Sequence, residues 1–74
     1  MNHSMKTKFE VNGMSCQNCV AHVREAVSAL SGVISAEVSL ESASMIVEYD
    51  AALVDEKAII EAVVEEGYEA RVAR

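Results

Sequence analysis

The chain changes hydrophobic period several times along its length. "KTKFEVN", residues 6–12, alternates, with Thr7, Phe9 and Val11 on one side and Lys8 and Glu10 on the other, which predicts a half-buried strand. After a loop, "GMSCQNC", the period lengthens. From about Gln17, Val20, Val23, Val27 and Leu30 recur at steps of three and four, with Ala26 on the same face. That spacing predicts an amphipathic helix, with Ser15 as its N-cap and Ser31-Gly32 as its end. "VISAEVSLE" alternates again, placing Ile34, Ala36, Val38 and Leu40 on one face. "ESAS" breaks the pattern, and "MIVEY" puts Met45, Val47 and Tyr49 together as a second hairpin strand. "DEKAIIEAVVEEG" returns to helical spacing: Asp55 is the expected N-cap, Val54 and Ile59 a hydrophobic staple, Ile59 and Val63 the buried stripe, and Gly67 the stop. "YEARVAR" supplies a short last strand.

The predicted order is strand, helix, strand, strand, helix, strand. Two helices must each bury an apolar face, and a four-stranded sheet offers one. The economical solution is an α+β, ferredoxin-like βαββαβ sandwich: an antiparallel sheet with both helices on one side. A chain of 74 residues has room for one such domain, expected over residues 1–74 with 1–4 as a flexible tail. Just over half of the residues are hydrophobic, enough for a core. The net charge of −6, from twelve acids against six bases, argues against nucleic acid as a partner, because such binding rests on Lys and Arg neutralising phosphates. No apolar run reaches the length of a membrane span, so no direct membrane insertion is expected. Nothing at the start reads as a signal peptide, and a cytoplasmic, reducing location is the expectation.

In that compartment a cysteine pair points to metal binding or catalysis before a structural disulfide. The two cysteines, Cys16 and Cys19, stand in a CxxC arrangement across the loop and the first helical turn. Unpaired N–H groups and the positive end of a helix dipole favour thiolate there. Two thiolates can satisfy a soft d10 ion such as Cu(I), whereas structural Zn(II) requires two more ligands and the chain offers only His3 and His22. A thiol–disulfide redox protein is the alternative from another class. Thioredoxin-like enzymes set a cis-proline against their CxxC, and this chain has no proline. No Ser, His and acid form a recognised catalytic motif, so no enzyme is expected.

"GMSCQNC", the helix "VAHVREAVSAL", "SGV", the hairpin and "AVVEEGYEA" together resemble the heavy-metal-associated domain along nearly the whole chain. Within that family the chain is similar to bacterial copper chaperones of the CopZ type and to N-terminal domains of copper-transporting P-type ATPases. The resemblance implies that Cys16 and Cys19 are ligands for Cu(I), with Ag(I) as its mimic. It implies that Met14 packs under the loop and that Tyr68 lies near the site. Ser15 stands where zinc-transporting relatives often carry Asp, which leans the choice to copper. Mercury-binding relatives share the loop and remain an alternative. The implied role is transfer of the ion by thiolate exchange to a copper-transporting P-type ATPase, with a copper-responsive repressor as a further client and a copper-linked homodimer as a further state.

Other residues carry two readings each. His22 is either a solvated helix residue, or it lines the docking face or adds a third ligand when two copies share copper, a role that is pH-sensitive. Met1-Asn2-His3 is either a frayed tail or a square-planar chelate for Cu(II) or Ni(II). Glu56, Glu61, Glu65, Glu66 and Glu69 form a solvated face that also suits steering toward a basic partner surface.

Overall fold

The computed structural model describes residues 4–73. Its elements are β1 (Ser4–Asn12), α1 (Gln17–Ser28), β2 (Val33–Ser39), β3 (Ser44–Asp50), α2 (Glu56–Glu65) and β4 (Glu69–Val72). The strands form one antiparallel sheet in the order β2-β3-β1-β4. Phe9 stands opposite Met45 and Thr7 opposite Val47, so the alternating apolar residues of β1 and β3 share a face. Against that face lie Val23 and Val27 of α1 and Ile59 and Val63 of α2, in one buried cluster with it; Val20 of α1 is buried as well. The two helices also touch each other. This is the βαββαβ sandwich the periodicity predicts.

Local chemistry explains most element ends. The Asp55 carboxylate accepts the Ala58 N–H at 2.9 Å, capping α2 as expected. Val54 and Ile59, the predicted staple, both belong to the buried cluster. The buried Tyr49 hydroxyl meets Thr7 Oγ1 at 3.1 Å, which satisfies a group that burial alone would penalise. Among the described residues no buried side-chain polar atom lacks a partner.

Four expectations are corrected. Ser4 belongs to β1 and pairs with Asp50, so it is not part of a tail; Met1-Asn2-His3 lies outside the described residues. Ile34 does not face the core. The β2–β3 register slips between Val33 and Ser35, a bulge that turns Ile34 outward to 58% exposure, and Val33 packs on the core with Ala36 and Val38 instead. Ser15 is not the N-cap of α1: that position is Cys16, extended at φ −159°, with no side-chain cap. Gly32 does not cap α1 either, whose C-cap is Ala29. It sits in the following turn, closed by the Val33 N–H to the Leu30 carbonyl, at φ 97°. A Cβ there would come within 2.7 Å of Leu53 Cβ and 3.0 Å of Val54 Cγ1, so only glycine fits. In the hairpin, Ala43 takes the left-handed conformation at φ 52° and its carbonyl accepts the Val11 N–H at 2.9 Å.

Candidate metal centre

The cysteine loop leaves β1 at Asn12 and enters α1 at Gln17. Met14 anchors it, half-buried and packed against the core, as expected of a flexible gap-filler. Cys16 is exposed. Its carbonyl accepts the N–H groups of Cys19 at 3.1 Å and Val20 at 3.3 Å, and this starts the helix. Cys19 is thereby held in the first turn of α1, half-buried. The two Sγ atoms lie 3.6 Å apart. No acid occupies that first turn, so no carboxylate competes for the positive end of the helix dipole.

Tyr68 reaches the loop from the other end of the chain, and the cap of α2 explains how. The Gly67 N–H donates to the Val64 carbonyl at 2.9 Å and the Tyr68 N–H to the Val63 carbonyl at 3.3 Å. These are the paired bonds of a Schellman motif, with Gly67 left-handed at φ 96°. The motif reverses the chain and lays the Tyr68 ring over Gly13, where a Cβ would stand 3.4 Å from Tyr68 Cδ1.

The Cys19 thiol is pulled down from 9.0 to about 6. The Ser15 backbone is the largest cause, followed by hydrogen bonds from the Tyr68 hydroxyl, Cys16 and the Ser15 hydroxyl. Tyr68 is pushed up in return, chiefly by its bond to Cys19, and so keeps its proton as a donor. Ser15 Oγ lies 3.8 Å from Cys19 Sγ. Ser15 therefore faces the sulfur rather than capping the helix backbone. Its main-chain contribution carries no signature in residue type, and sequence reasoning missed it. His22 is exposed on α1, and among the described residues no group of three or more His, Cys, Asp or Glu side chains is placed to hold one ion.

The heavy-metal-associated domain family matches residues 8–69. The copper chaperone CopZ of Enterococcus hirae is 44% identical over 92% of this chain and 99% of its own length. Copper-transporting ATPase 2 of Rhizobium meliloti is 36% identical over 93% of this chain, which spans only 8% of the ATPase. A crystal structure of a copper binding domain from HMA7, a P-type ATPase, superposes with a TM-score of 0.91 at 33% identity, covering 93% of each chain. The match over most of the chain, the shared fold and the CxxC loop at the start of α1 agree: the chain belongs to the heavy-metal-associated domain family.

Proposed function

We propose that this chain carries Cu(I) between Cys16 and Cys19, with Ag(I) able to take its place, and delivers it in the cytoplasm to a copper-transporting P-type ATPase. The observation that carries the reading is the loop itself: two sulfurs 3.6 Å apart at the start of α1, and the loop backbone that draws the Cys19 thiol down to about 6 supports it. The similarity to a CopZ chaperone over nearly its full length supports a single-domain carrier.

The geometry suits exchange. With metal–sulfur bonds of about 2.3 Å, sulfurs at the present 3.6 Å subtend roughly 100° at an ion, and a linear pair requires about 4.6 Å. Loading therefore opens the pair by about 1 Å, which the exposed Cys16 can provide while Cys19 stays in the helix. A two-coordinate ion at the surface leaves room for a third thiolate. A partner's cysteine adds, one sulfur of this chain departs, and a second partner cysteine completes the transfer. Copper changes hands without a change of oxidation state. A copper-responsive repressor or a second copy of the chain can enter by the same route.

The test is an anaerobic competition titration of reduced protein with Cu(I), Zn(II) and Hg(II), repeated on Cys16→Ser and Cys19→Ser. The expected result is preferential Cu(I) binding that each substitution weakens and the double substitution abolishes. Tight zinc binding with weak copper binding would overturn the metal assignment, and preferential Hg(II) retention against copper competitors would favour the mercury branch. The second reading is an N-terminal metal-binding domain of such an ATPase, favoured by the 36% identity to a small part of one. Transfer to a separately prepared ATPase separates the two: a carrier gives its copper to the cysteines of another protein at catalytic ratios.

A further inference from the structure

The cysteine loop lies beside an unpartnered sheet edge. In the order β2-β3-β1-β4, β4 pairs only with β1, so its outer N–H and C=O groups face away from the sheet. Alongside this edge runs a groove of about 450 Å³, lined by Asn12, Val64, Glu69, Ala70 and Arg71. Val64 of α2, 52% exposed, and Ala70 give it apolar surface. One end of the groove adjoins the metal loop: Asn12 and Glu69 are paired there, Asn12 preceding Gly13 and Glu69 following Tyr68.

The free charge around it is mostly negative. Glu69 lines it, and Glu61 and Glu65 of α2 and Glu66 at its C-cap are exposed on the neighbouring helix. The cation on β4, Arg71, is tied across the sheet to Glu10, with Nη2 at 2.9 Å and Nε at 3.1 Å from Oε1. Lys57 is two helical turns from Val64. An open strand edge, an apolar wall and an acidic rim call for an occupant that is extended, alternates apolar and basic residues, and pairs by its backbone. A second copy of this chain fits poorly, because each copy brings a net charge of −6.

We propose that the β4–α2 groove takes an extended basic segment of a partner protein by strand addition, with its apolar residues on Val64 and Ala70 and its cations on the opposite face, toward Glu69. Such a strand runs directly up to Cys19 and Tyr68, so binding there holds the partner's cysteines beside the loop. That this segment belongs to the copper recipient rests on the function proposed above. The groove does not, and its test uses metal-free protein.

The probe is a short capped peptide alternating lysine and valine, titrated into the reduced chain and followed by amide chemical shifts and hydrogen exchange. The expected result is shifts and new amide protection along Glu69–Val72. A peptide of the same charge with a central proline should bind at least about tenfold more weakly, because it cannot pair as a strand. Val64→Glu decides between groove and charge: it adds a negative charge yet blocks the apolar wall, so binding should fall by about tenfold. Equal or tighter binding to Val64→Glu overturns the proposal in favour of simple charge attraction, as does indifference to proline. No binding overturns it outright. A dimer in the peptide-free protein that protects the same strand assigns the groove to a second copy instead. Failure of copper transfer with an intact peptide response would count against the functional reading and leave the groove standing.

Discussion

Tyr68→Phe isolates the influence of one hydroxyl on the site. The ring remains, so its contact over Gly13 and its packing on the core persist, and only the hydroxyl beside Cys19 is lost. With the Cys19 pKa at about 6, roughly nine in ten Cys19 side chains are thiolate at pH 7; at an ordinary 9.0 the fraction is about one in a hundred. The Ser15 backbone, the larger cause, survives the substitution, as do Cys16 and the Ser15 hydroxyl. The midpoint should therefore rise only part of the way, by about one unit, the scale of a charge-assisted hydrogen bond, leaving about half of the Cys19 as thiolate at pH 7. Because the shift is upward, protons compete with metal over a wider range. Apparent Cu(I) affinity should drop near pH 6 to 7 and match the unaltered protein above about pH 9. The assay is the ultraviolet absorbance of thiolate against pH, with the rise read as the difference between Cys16→Ser and Cys16→Ser/Tyr68→Phe so that the lost Cys16 contribution cancels, and alkylation rates as a second readout. An unchanged midpoint would show that the Tyr68 hydroxyl does not donate to this sulfur. A return to an ordinary thiol value would show that the Ser15 backbone does little.

The depressed Cys19 pKa also has a folding consequence: the stability it contributes to the reduced, metal-free chain is full above about pH 9 and is lost as pH falls through about 6, which urea midpoints across that window should follow. Gly32→Ala should cost at least about 3 kcal/mol, about 1–2 for the left-handed backbone and the rest from the clash with Leu53 and Val54, whereas Gly67→Ala, with nothing within 4 Å of its Cβ, should cost only the backbone part; equal urea shifts for the two would refute the contact argument. Asp55→Ala should remove about 1 kcal/mol by freeing the Ala58 N–H, and an unchanged thermal midpoint would mean that the cap contributes nothing. His22→Ala should leave copper affinity and transfer unaltered at about pH 6 and 8, since His22 is exposed and forms no three-residue cluster with the cysteines; a loss confined to the higher pH would restore it as a ligand.

The six elements, the Asp55 cap, the stripe of Ile59 and Val63 and the CxxC loop were legible because each depends on neighbours within a turn or two, and periodicity records those neighbours. Met14 and Tyr68 were legible only through family resemblance, since nothing in their local pattern points to the loop. Ile34 was misplaced because a bulge is a property of two strands in register, and alternation along one strand assumes that register is kept. The position of Gly32 just after α1 suggests a helix cap, whereas its constraint is the approach of Leu53 and Val54 from a distant loop. Residue type speaks for the Ser15 side chain alone, and the larger contribution of Ser15 comes through its backbone. What the sequence by itself determined is therefore the set of elements and the presence of two thiols at a helix start. What only the tertiary structure decided is the electrostatics of those thiols. The charge state of Cys19 depends on the loop backbone at Ser15 and on a hydroxyl 49 positions away in the chain, carried toward it by the cap of a helix that packs on the same sheet.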